Sequence, residues 1–454
     1  MVDTLIKNGI IVTMDSERRI LPKHSLAFES GRIVEIGEAA DVQRKLPNAE
    51  VIDAEGRVVM PGLVCSHTHL YGMLLRGASL KVAPPSDFGQ ILQRIWWPLD
   101  EAMNRDDAYA SALIAATEFA RSGVTTFADT YSGPNSIEGV LDYIARAIDE
   151  VGIRGFLGFE VTERHSREEG LKGLRENVRF AEEVSRKANS KVKSLFSIHA
   201  SFTVSDALIL EAKNLAEKFN SPITIHASEG LIDLHHNLEK YGKRTIERLY
   251  DLGLLGPRLV LAHCVQLAPT EIDLISLTGT GVAYNPMSNM LNAVGVAPVP
   301  QMLEKKVNVG LGNDGYIFDM FENMRAGFLL QRLHTRNPNI IDPYTILEMA
   351  TINGARLYAM NKEIGSIEVG KKADIIVVKP SILPTPLTID TAIGHLLNTV
   401  DGNDIEHVFV EGRQIVKNKH FTIFDEDKAQ QQSQQTALKL WKRLATINTQ
   451  NGSD

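Results

Sequence analysis

The chain has few cysteines and no long apolar run, and each absence excludes a class of protein. Its 454 residues include two cysteines, Cys65 and Cys264, which are too few for a disulfide framework. No apolar stretch approaches the roughly 18 residues that a transmembrane helix requires. Residues 1–7 lack the basic stretch and the apolar core of a signal peptide. We therefore expect a cytoplasmic protein that does not bind a membrane.

Positive charge is also in short supply. The chain has 48 Lys and Arg against 56 Asp and Glu, so its formal net charge is −8, and no basic run stands out. This balance argues against a nucleic-acid surface and against acidic membranes as partners. Hydrophobic residues make up 44% of the chain, which is enough for the large core of a globular enzyme.

Short strands with tight turns are predicted at both ends of the chain. They cover residues 4–13, 25–36, 50–59, 365–369, 373–379 and 406–416. The two groups are separated by about 300 residues, and we predict that they pair into one small module. This β-sandwich domain would consist of residues 1–58 and 363–420. Residues 421–454 are predicted to form a C-terminal helix and tail.

The middle of the chain alternates between strand and helix patterns. Eight β-rich runs occur at 59–69, 124–129, 153–160, 193–200, 222–228, 259–265, 282–288 and 307–314. Helical patterns, such as residues 106–121 and 168–188, separate most of them. Eight strands with crossover helices over about 250 residues are typical of a (β/α)8 TIM-type barrel. We predict an α/β protein with this barrel at residues 59–362. The alternative, a doubly wound sheet, would normally show a Gly-rich phosphate turn after the first strand, and none is present.

Two histidines end the first predicted barrel strand. His67 and His69 are two residues apart, and side chains at i and i+2 of a strand point to the same side. Imidazole is a common ligand of Zn and Fe, so the pair could chelate a metal. Two ordinary polar residues are the alternative, and the metal prediction therefore depends on further ligands at other strand ends.

Such residues follow other predicted strands, at the end of the barrel where active sites form. They are His199 on strand four, His226 and Glu229 on strand five, His263 on strand six, and Asp314 on strand eight. Three imidazoles and one carboxylate suit a divalent metal with an open position for water. The predicted metal ligands are His67, His69, His226 and Asp314.

The catalytic residues are predicted to be Glu229, His263 and Asp314. A divalent metal lowers the pKa of a bound water, and Glu229 could carry the released proton to a leaving group. His263 could polarise the electrophile or hydrogen-bond the nucleophile, while Asp314 could be ligand and base together. The alternative for Glu229 is an acidic residue at the start of the following helix.

One metal is predicted rather than two. A two-metal site of this kind usually needs a bridging anion, often a modified lysine on strand four. The nearest lysine, Lys193, precedes that strand. Zn is the expected ion and Fe the alternative, because imidazole and carboxylate suit both.

These motifs resemble those of the amidohydrolase superfamily over nearly the whole chain. Matching segments are residues 59–69, 226–229, 262–265, 285–289, 312–315 and 365–376, although Gly-Asn-Asp-Gly at 312–315 departs from the usual Gly-Thr-Asp-Gly. The resemblance is greatest to the mononuclear branch of cytosine, guanine and S-adenosylhomocysteine deaminases and triazine hydrolases. It implies metal-dependent hydrolysis with ammonia release from a heterocycle, such as a purine, pyrimidine, pterin or triazine.

The subfamily and the reaction remain open at this point. Residues 159–164 and 289–295 are similar to aminohydrolases linked to selenium metabolism. Adenosine-type deaminases carry an arginine at the end of strand three, and neither Arg154 nor Arg164 clearly matches it. Alternatives at the same site are hydrolysis of a non-peptide amide and displacement of another leaving group. A non-catalytic assembly protein would have lost ligands that are present here.

Three residues are predicted to contact the substrate. His199 matches a substrate-contacting position in the related deaminases. Trp97 follows the first strand and could stack on a flat ring, with core packing as its alternative. Asn289, after strand seven, could hydrogen-bond the substrate or shape its loop. Barrels of this kind often dimerise, so a homo-oligomer is compatible with the sequence.

Overall fold

The computed structural model describes residues 4–45, 47–187 and 190–451, with side chains up to Ile447. The predicted α/β class is confirmed, as is the combination of a TIM-type barrel with a separate sheet domain. Residues 1–3 and 452–454, at the ends of the predicted terminal segments, lie outside the residues that the structure describes. So does residue 188, the last of a predicted helix.

In the described part of the chain, eighteen strands form two sheets of nine strands each. In chain order they are β1 (Thr4–Val12), β2 (Ile20–Glu29), β3 (Arg32–Glu38), β4 (Glu50–Asp53), β5 (Val58–Pro61), β6 (Leu63–Thr68), β7 (Val124–Tyr131), β8 (Arg154–Val161), β9 (Val192–Ser194), β10 (Phe196–Ala200), β11 (Ile223–Ala227), β12 (Leu259–His263), β13 (Gly281–Tyr284), β14 (Val309–Leu311), β15 (Ile375–Val378), β16 (Ile405–Val410), β17 (Arg413–Lys417) and β18 (His420–Phe421).

Helices cover the barrel and connect its strands. They are α1 (Ala39–Lys45), α2 (Phe88–Ile91), α3 (Trp97–Ala102), α4 (Arg105–Arg121), α5 (Val140–Val151), α6 (Arg167–Ser185), α7 (Asp206–Lys218), α8 (Leu231–Tyr241), α9 (Thr245–Asp251), α10 (Pro269–Thr278), α11 (Pro286–Leu291), α12 (Val299–Glu304), α13 (Met320–Thr335), α14 (Pro343–Met349), α15 (Ile352–Leu357), α16 (Ala392–Asn398) and α17 (Glu426–Asn451). Shorter helical turns cover Leu70–Leu75, Leu92–Trp96, Pro134–Ser136, Ser201–Thr203 and Gly402–Asp404. Within the described residues, every helix is too short or too polar to cross a bilayer.

The second sheet is a parallel barrel. Its strands follow the order β6-β7-β8-β10-β11-β12-β13-β14, and β9 pairs with β8. A parallel bridge between Thr68 and Asp314 brings the first strand next to the chain that follows the last. Strands such as β7 and β8 are buried along their whole length, as expected for parallel strands covered by helices. This burial explains why most barrel strands are rich in apolar residues, although β7 also buries three threonines and an aspartate.

Several predicted barrel strands have different limits in the structure: the run at 193–200 is divided into β9 and β10, and the run at 307–314 keeps only β14. The run at 59–69 is divided at Gly62 into β5, which joins the other sheet, and β6, which opens the barrel. A Cβ atom at Gly62 would lie 2.2 Å from the Thr125 side chain, so only glycine fits at this crossing. The run at 282–288 ends as a strand at Tyr284, because Pro286 starts α11 with a fixed φ and no N–H to donate.

The first sheet combines strands from both ends of the chain. Its order is β18-β17-β16-β15-β5-β1-β2-β3, with β4 paired to β1. The antiparallel pair of β5 and β15 joins the two groups and places Val59 opposite Val377 and Met60 opposite Ile376. Phe28 and Phe409, which come from opposite ends of the chain, pack edge to face in its core. The domain limits at residues 58, 362 and 420 stay predictions.

A buried ion pair connects the sheet domain to the barrel. Arg154, the first residue of β8, is 1% exposed and contacts Asp374 and Glu411 through its guanidinium group. It lies at the N-terminal end of its strand, away from the strand ends that carry the predicted site. Burial would raise the pKa of Glu411, but bonds from Lys372 and Arg154 outweigh this effect and hold it at about 2.

Replacement of Arg154 by alanine should lower the free energy of unfolding by about 3–5 kcal/mol, because two carboxylates would lose a buried counter-ion. Urea unfolding followed by tryptophan fluorescence measures this loss. The matched control is Arg175→Ala, since Arg175 and Glu168 form an ion pair with side chains 61% and 60% exposed. The control should have little effect, and equal losses in the two variants would contradict the structural role of Arg154.

The same ion pair predicts a dependence of stability on acid. The pKa of Glu411 is about 2 in the folded protein and about 4.3 when unfolded, so its stabilising contribution is complete above about pH 4.3 and is lost as the pH falls through about 2. The difference in unfolding midpoint between wild type and Glu411→Gln should therefore shrink by roughly half between about pH 6 and about pH 3. A difference that stays constant over this range would show that Glu411 does not titrate in this way.

Candidate active site at the C-terminal end of the barrel

Six predicted site residues lie together at the C-terminal ends of the barrel strands. They are His67 near the end of β6, His69 directly after it, His226 in β11, His263 at the end of β12, Glu229 after β11 and Asp314 after β14. The two-residue spacing in β6 has the expected effect, since the rings of His67 and His69 are 4.9 Å apart. The barrel therefore brings together residues that are up to 247 positions apart (67 to 314) in the sequence.

Two of the histidines face each other through their Nε2 atoms. His69 Nε2 lies 3.1 Å from His226 Nε2 and 3.2 Å from Asp314 Oδ1. Each Nδ1 atom meets a backbone carbonyl, that of Thr130 at 2.9 Å for His69 and that of His199 at 2.5 Å for His226. A carbonyl only accepts, so both Nδ1 atoms carry the proton and both Nε2 atoms present lone pairs. Two lone pairs at this distance favour a cation between them.

The remaining donor atoms also favour a bound cation. Within the described chain, His67 Nε2 is buried without a hydrogen-bond partner. The ligand atoms of His67, His69 and Asp314 all lie within 4.8 Å of one another, and so do those of His67, His226 and His263. Burial, with the neighbouring histidines, lowers the pKa of His67 well below its usual value, so the ring is neutral. Neutral imidazoles with one carboxylate are a donor set that suits a divalent metal.

Backbone strain directs several side chains into the site. Ser228, His263 and Asp314 have φ values of 54°, 75° and 59°, in the left-handed region that residues other than glycine rarely adopt. The carbonyl of His67 accepts the N–H of Asp314 at 3.1 Å, and the hydroxyl of Ser288 donates to the Asp314 carboxylate. These bonds hold Asp314 in its unfavourable conformation with the carboxylate facing His69. Such strain persists only where the surroundings fix it, and it is concentrated at functional sites.

Glu229 and His263 form a second pair beside the ligand cluster. His263 Nδ1 lies 2.9 Å from Asn289 Oδ1 and donates to it, which directs Nε2 towards Glu229 Oε2 at 3.5 Å. Burial and then the charge of Asp314 raise the pKa of Glu229 well above its usual value. Burial lowers the pKa of His263 to about 4. A carboxyl group that holds a proton beside a neutral imidazole is suited to proton transfer.

A cavity opens beside these residues and has aromatic and acidic walls. Among the side chains that line it are Tyr71, Phe88, Trp96, Trp97, Asp100, Glu160 and His199. The predicted contacts His199 and Trp97 thus lie on the cavity, while Asn289 is fully buried against His263. The role of all three in substrate binding stays a prediction.

Several residues at the site had no role in the sequence analysis. Asp100 and Glu160 line the cavity, and Asn292 Nδ2 lies 3.5 Å from Glu229 Oε1. Thr130 orients His69 through its carbonyl at 2.9 Å and its hydroxyl at 3.0 Å from Nδ1. Glu160 had a usable signal, because it is an acidic residue in β8, a strand whose only other charged residue is Arg154 at its start. Asp100 and Asn292 lie in polar segments where no local pattern distinguishes them.

Sequence comparisons identify relatives over almost the whole chain. A sequence model of the amidohydrolase family matches residues 58–415. A 5'-deoxyadenosine deaminase of Methanosarcina mazei is 35% identical over 451 residues, which are 98% of this chain and 100% of the relative. A 5-methylthioadenosine/S-adenosylhomocysteine deaminase of Thermococcus kodakarensis is 36% identical over 420 residues, which are 90% of this chain and 93% of the relative.

Solved structures share the fold. An adenosine deaminase from Xanthomonas campestris with bound zinc has a TM-score of 0.87 at 26% identity, with 97% of this chain and 99% of that chain covered. A triazine hydrolase from Arthrobacter aurescens has a TM-score of 0.84 at 20% identity, with 96% and 100% covered. At that identity, the second likeness concerns the fold alone.

Metal analysis tests the predicted ligand set. Wild-type protein should retain one divalent ion per chain, and His67→Ala should retain far less, because a lost imidazole weakens the chelate. Elemental analysis by mass spectrometry after dialysis measures both. The control His235→Ala removes an exposed histidine of α8 and should keep the full content. Equal content in the two variants would contradict the ligand set, and two ions per chain would contradict the single-metal prediction.

Proposed function

The chain belongs to the amidohydrolase family, and from this premise we propose that it is a metal-dependent deaminase of adenosine-type nucleosides. The reaction would replace the amino group of the purine ring by oxygen and release ammonia. The observation that carries this proposal is the convergence of imidazole lone pairs and the Asp314 carboxylate beside Glu229 and His263. The names of the two full-length relatives support the substrate class.

The proposed ligands of a single divalent ion are His67, His69, His226 and Asp314. Zinc is the proposed ion, because the adenosine deaminase that shares the fold has bound zinc, and iron is the alternative. Bound there, the ion would acidify a water molecule and so supply the nucleophile that attacks the ring carbon.

Glu229 moves the protons in this proposal. Deamination needs one proton removed from water and one delivered to the leaving nitrogen, and a single carboxyl group beside the ligand cluster can do both. The raised pKa of Glu229 allows it to hold the proton between the two transfers. His263, kept neutral by burial and oriented by Asn289, accepts a hydrogen bond through Nε2 on the same side. Asp314 assists by accepting a hydrogen bond from the attacking water, while its proton goes to Glu229.

The cavity walls favour a nucleoside over a bare ring. Trp96 and Trp97 provide flat apolar faces for a purine. Asp100 Oδ1 and Glu160 Oε1 are buried and have no hydrogen-bond partner among the described residues, so they can accept from sugar hydroxyls. Arg164 already binds Asp100 at 2.6 Å and lies over the Trp97 ring. Arg164 balances the charge of Asp100, and burial raises the pKa of Glu160 to about 7, so this wall carries little net negative charge. We propose 5'-deoxyadenosine as the first substrate to test, because a relative named as its deaminase covers 98% of this chain.

Two further expectations stay predictions. A cytoplasmic location is proposed from the composition of the chain. A homo-oligomer is proposed because barrels of this kind often dimerise.

Ammonia release from purine nucleosides tests the proposed reaction. Zinc-loaded wild type should deaminate 5'-deoxyadenosine, and Glu229→Gln should retain its metal while kcat falls by about 10²–10⁴-fold, because the amide cannot carry the proton. Coupled ammonia assays and metal analysis of the same samples measure both. The matched control, Glu239→Gln, changes an exposed residue of α8 and should keep wild-type kcat.

Three outcomes would count against the proposal. If Glu229→Gln is as active as Glu239→Gln, Glu229 is not the proton carrier. If bound metal is present but no heterocycle releases ammonia, the site acts on an amide or another leaving group. If adenine is deaminated with a higher kcat/KM than 5'-deoxyadenosine, the cavity walls do not favour a nucleoside over a bare ring.

A further inference from the structure

A buried polar network lies behind the ends of β10 and β11. None of its residues belongs to the proposed metal ligands or proton carriers. It consists of Ser201, Asp233, Asn237, Thr245 and Arg248, each no more than 2% exposed. Asn237 Nδ2 lies 2.7 Å from Ser201 Oγ and 2.9 Å from Asp233 Oδ1. Arg248 Nη1 lies 3.1 Å from Asn237 Oδ1 and 2.7 Å from the Ser201 carbonyl. The network thus joins the turn after β10 to helices α8 and α9.

One member of this network reaches the turn that carries Glu229. The backbone N–H of Ser228 donates to Asp233 Oδ2, and the Ser201 hydroxyl donates to the other oxygen. The carbonyl of Ser228 accepts the backbone N–H groups of Val265 at 2.9 Å and Gln266 at 2.7 Å. Both peptide groups of Ser228 are therefore held, one by Asp233 and the other by the chain that follows β12.

This double attachment matters because Ser228 is strained. Its φ of 54° lies in the left-handed region, which costs free energy for a residue other than glycine. If the acceptor at residue 233 were lost, Ser228 could relax towards an ordinary conformation. Glu229 is the next residue, so a change in Ser228 would move its carboxyl group away from His263 Nε2, which lies 3.5 Å from Oε2.

We propose that Asp233 is a positioning residue for the proton transfer assigned to Glu229, an inference that rests on the proposed function. Asp233 does not touch the substrate and acts through the Ser228 turn. A displacement of about 1 Å at a reacting group can lower a rate about 10²-fold. Loss of Asp233 should therefore lower kcat and leave KM nearly unchanged, because the cavity walls stay in place.

A carboxylate is needed at this position because both of its oxygens accept. An asparagine would offer one acceptor and one donor. Its NH2 group would face either the N–H of Ser228 or the NH2 of Asn237, which lies 2.9 Å from Asp233 Oδ1. The simpler alternative is that Asp233 only stabilises α8, as an acidic residue in the first turn of a helix. Under that alternative the Ser228 turn should be insensitive to its loss.

Amide hydrogen exchange of the zinc-loaded full chain tests the inference without a substrate. Asp233→Asn and Asp233→Ala should both exchange faster in the peptide that covers residues 226–232. The matched control is Thr245→Val, which removes a buried hydroxyl that lies 3.3 Å from Asn237 Nδ2 and also bonds Asp233, but keeps the Asp233 oxygen that accepts from Ser228. The control should show wild-type exchange in that peptide. If Asp233→Ala does not fold, the comparison of Asp233→Asn with Thr245→Val decides alone.

Kinetics of the same samples give the second readout. We expect kcat to fall about 10–100-fold in Asp233→Asn, with KM within about threefold of wild type and full metal content. Thr245→Val should keep kcat within about threefold. In a Glu229→Gln background, Asp233→Asn should cause no further fall in kcat, because both changes act on the same proton transfer.

The outcomes separate this inference from the proposed function. If residues 226–232 exchange at the wild-type rate in a folded Asp233→Asn protein, the inference is overturned whether or not a substrate is known. An equal fall in kcat for Asp233→Asn and Thr245→Val would also overturn it. If wild type releases no ammonia while Asp233→Asn loosens the turn, the proposed function fails and the link between Asp233 and the Glu229 turn is supported.

Discussion

The site depends above all on two hydrogen bonds that leave no choice of tautomer. His69 and His226 each give their Nδ1 proton to a backbone carbonyl, that of Thr130 and that of His199. Both Nε2 lone pairs then converge at 3.1 Å, an arrangement that is unfavourable unless a positive charge lies near them. The carbonyls belong to neighbouring strands of the barrel, so the parallel sheet itself prepares the donor set. The Thr130 hydroxyl, 3.0 Å from His69 Nδ1, adds a side-chain contact that orients the first of these rings.

The scaffold keeps this arrangement by holding unfavourable conformations at its strand ends. His263 and Asp314 adopt left-handed backbone conformations, and both point their side chains into the site. Each is supported by a bond from a neighbouring element: Asn289 of α11 contacts His263, and the His67 carbonyl of β6 accepts from Asp314. At the opposite end of the barrel, Arg154 forms buried ion pairs with the sheet domain. One end of the barrel therefore carries strain, while the other carries contacts that favour stability.

Glu229, the proposed proton carrier, is also positioned by residues that lie outside the cavity. Glu229 is buried beside Asp314, so burial and repulsion both favour its protonated form. Its position is not set by its own contacts, since its bond from Asn292 is 3.5 Å long. The Ser228 turn, attached to Asp233 on one side and to the chain after β12 on the other, sets it instead. Geometry at the reacting group thus depends on residues that do not touch the cavity.

Local patterns in the sequence determined the barrel, its strand ends and the residues that meet there. Buried parallel strands are rich in apolar residues, and a spacing of two residues places His67 and His69 on one side of any strand. Both patterns can therefore be recognised in the sequence without knowledge of the fold. Tertiary structure alone decided the break at Gly62, the attachment of Arg154 to the sheet domain and the presence of Asp100 and Glu160 on one wall. These features depend on which distant segments touch, and backbone periodicity carries no information about contacts between segments that are 60 or more positions apart in the chain (100 to 160).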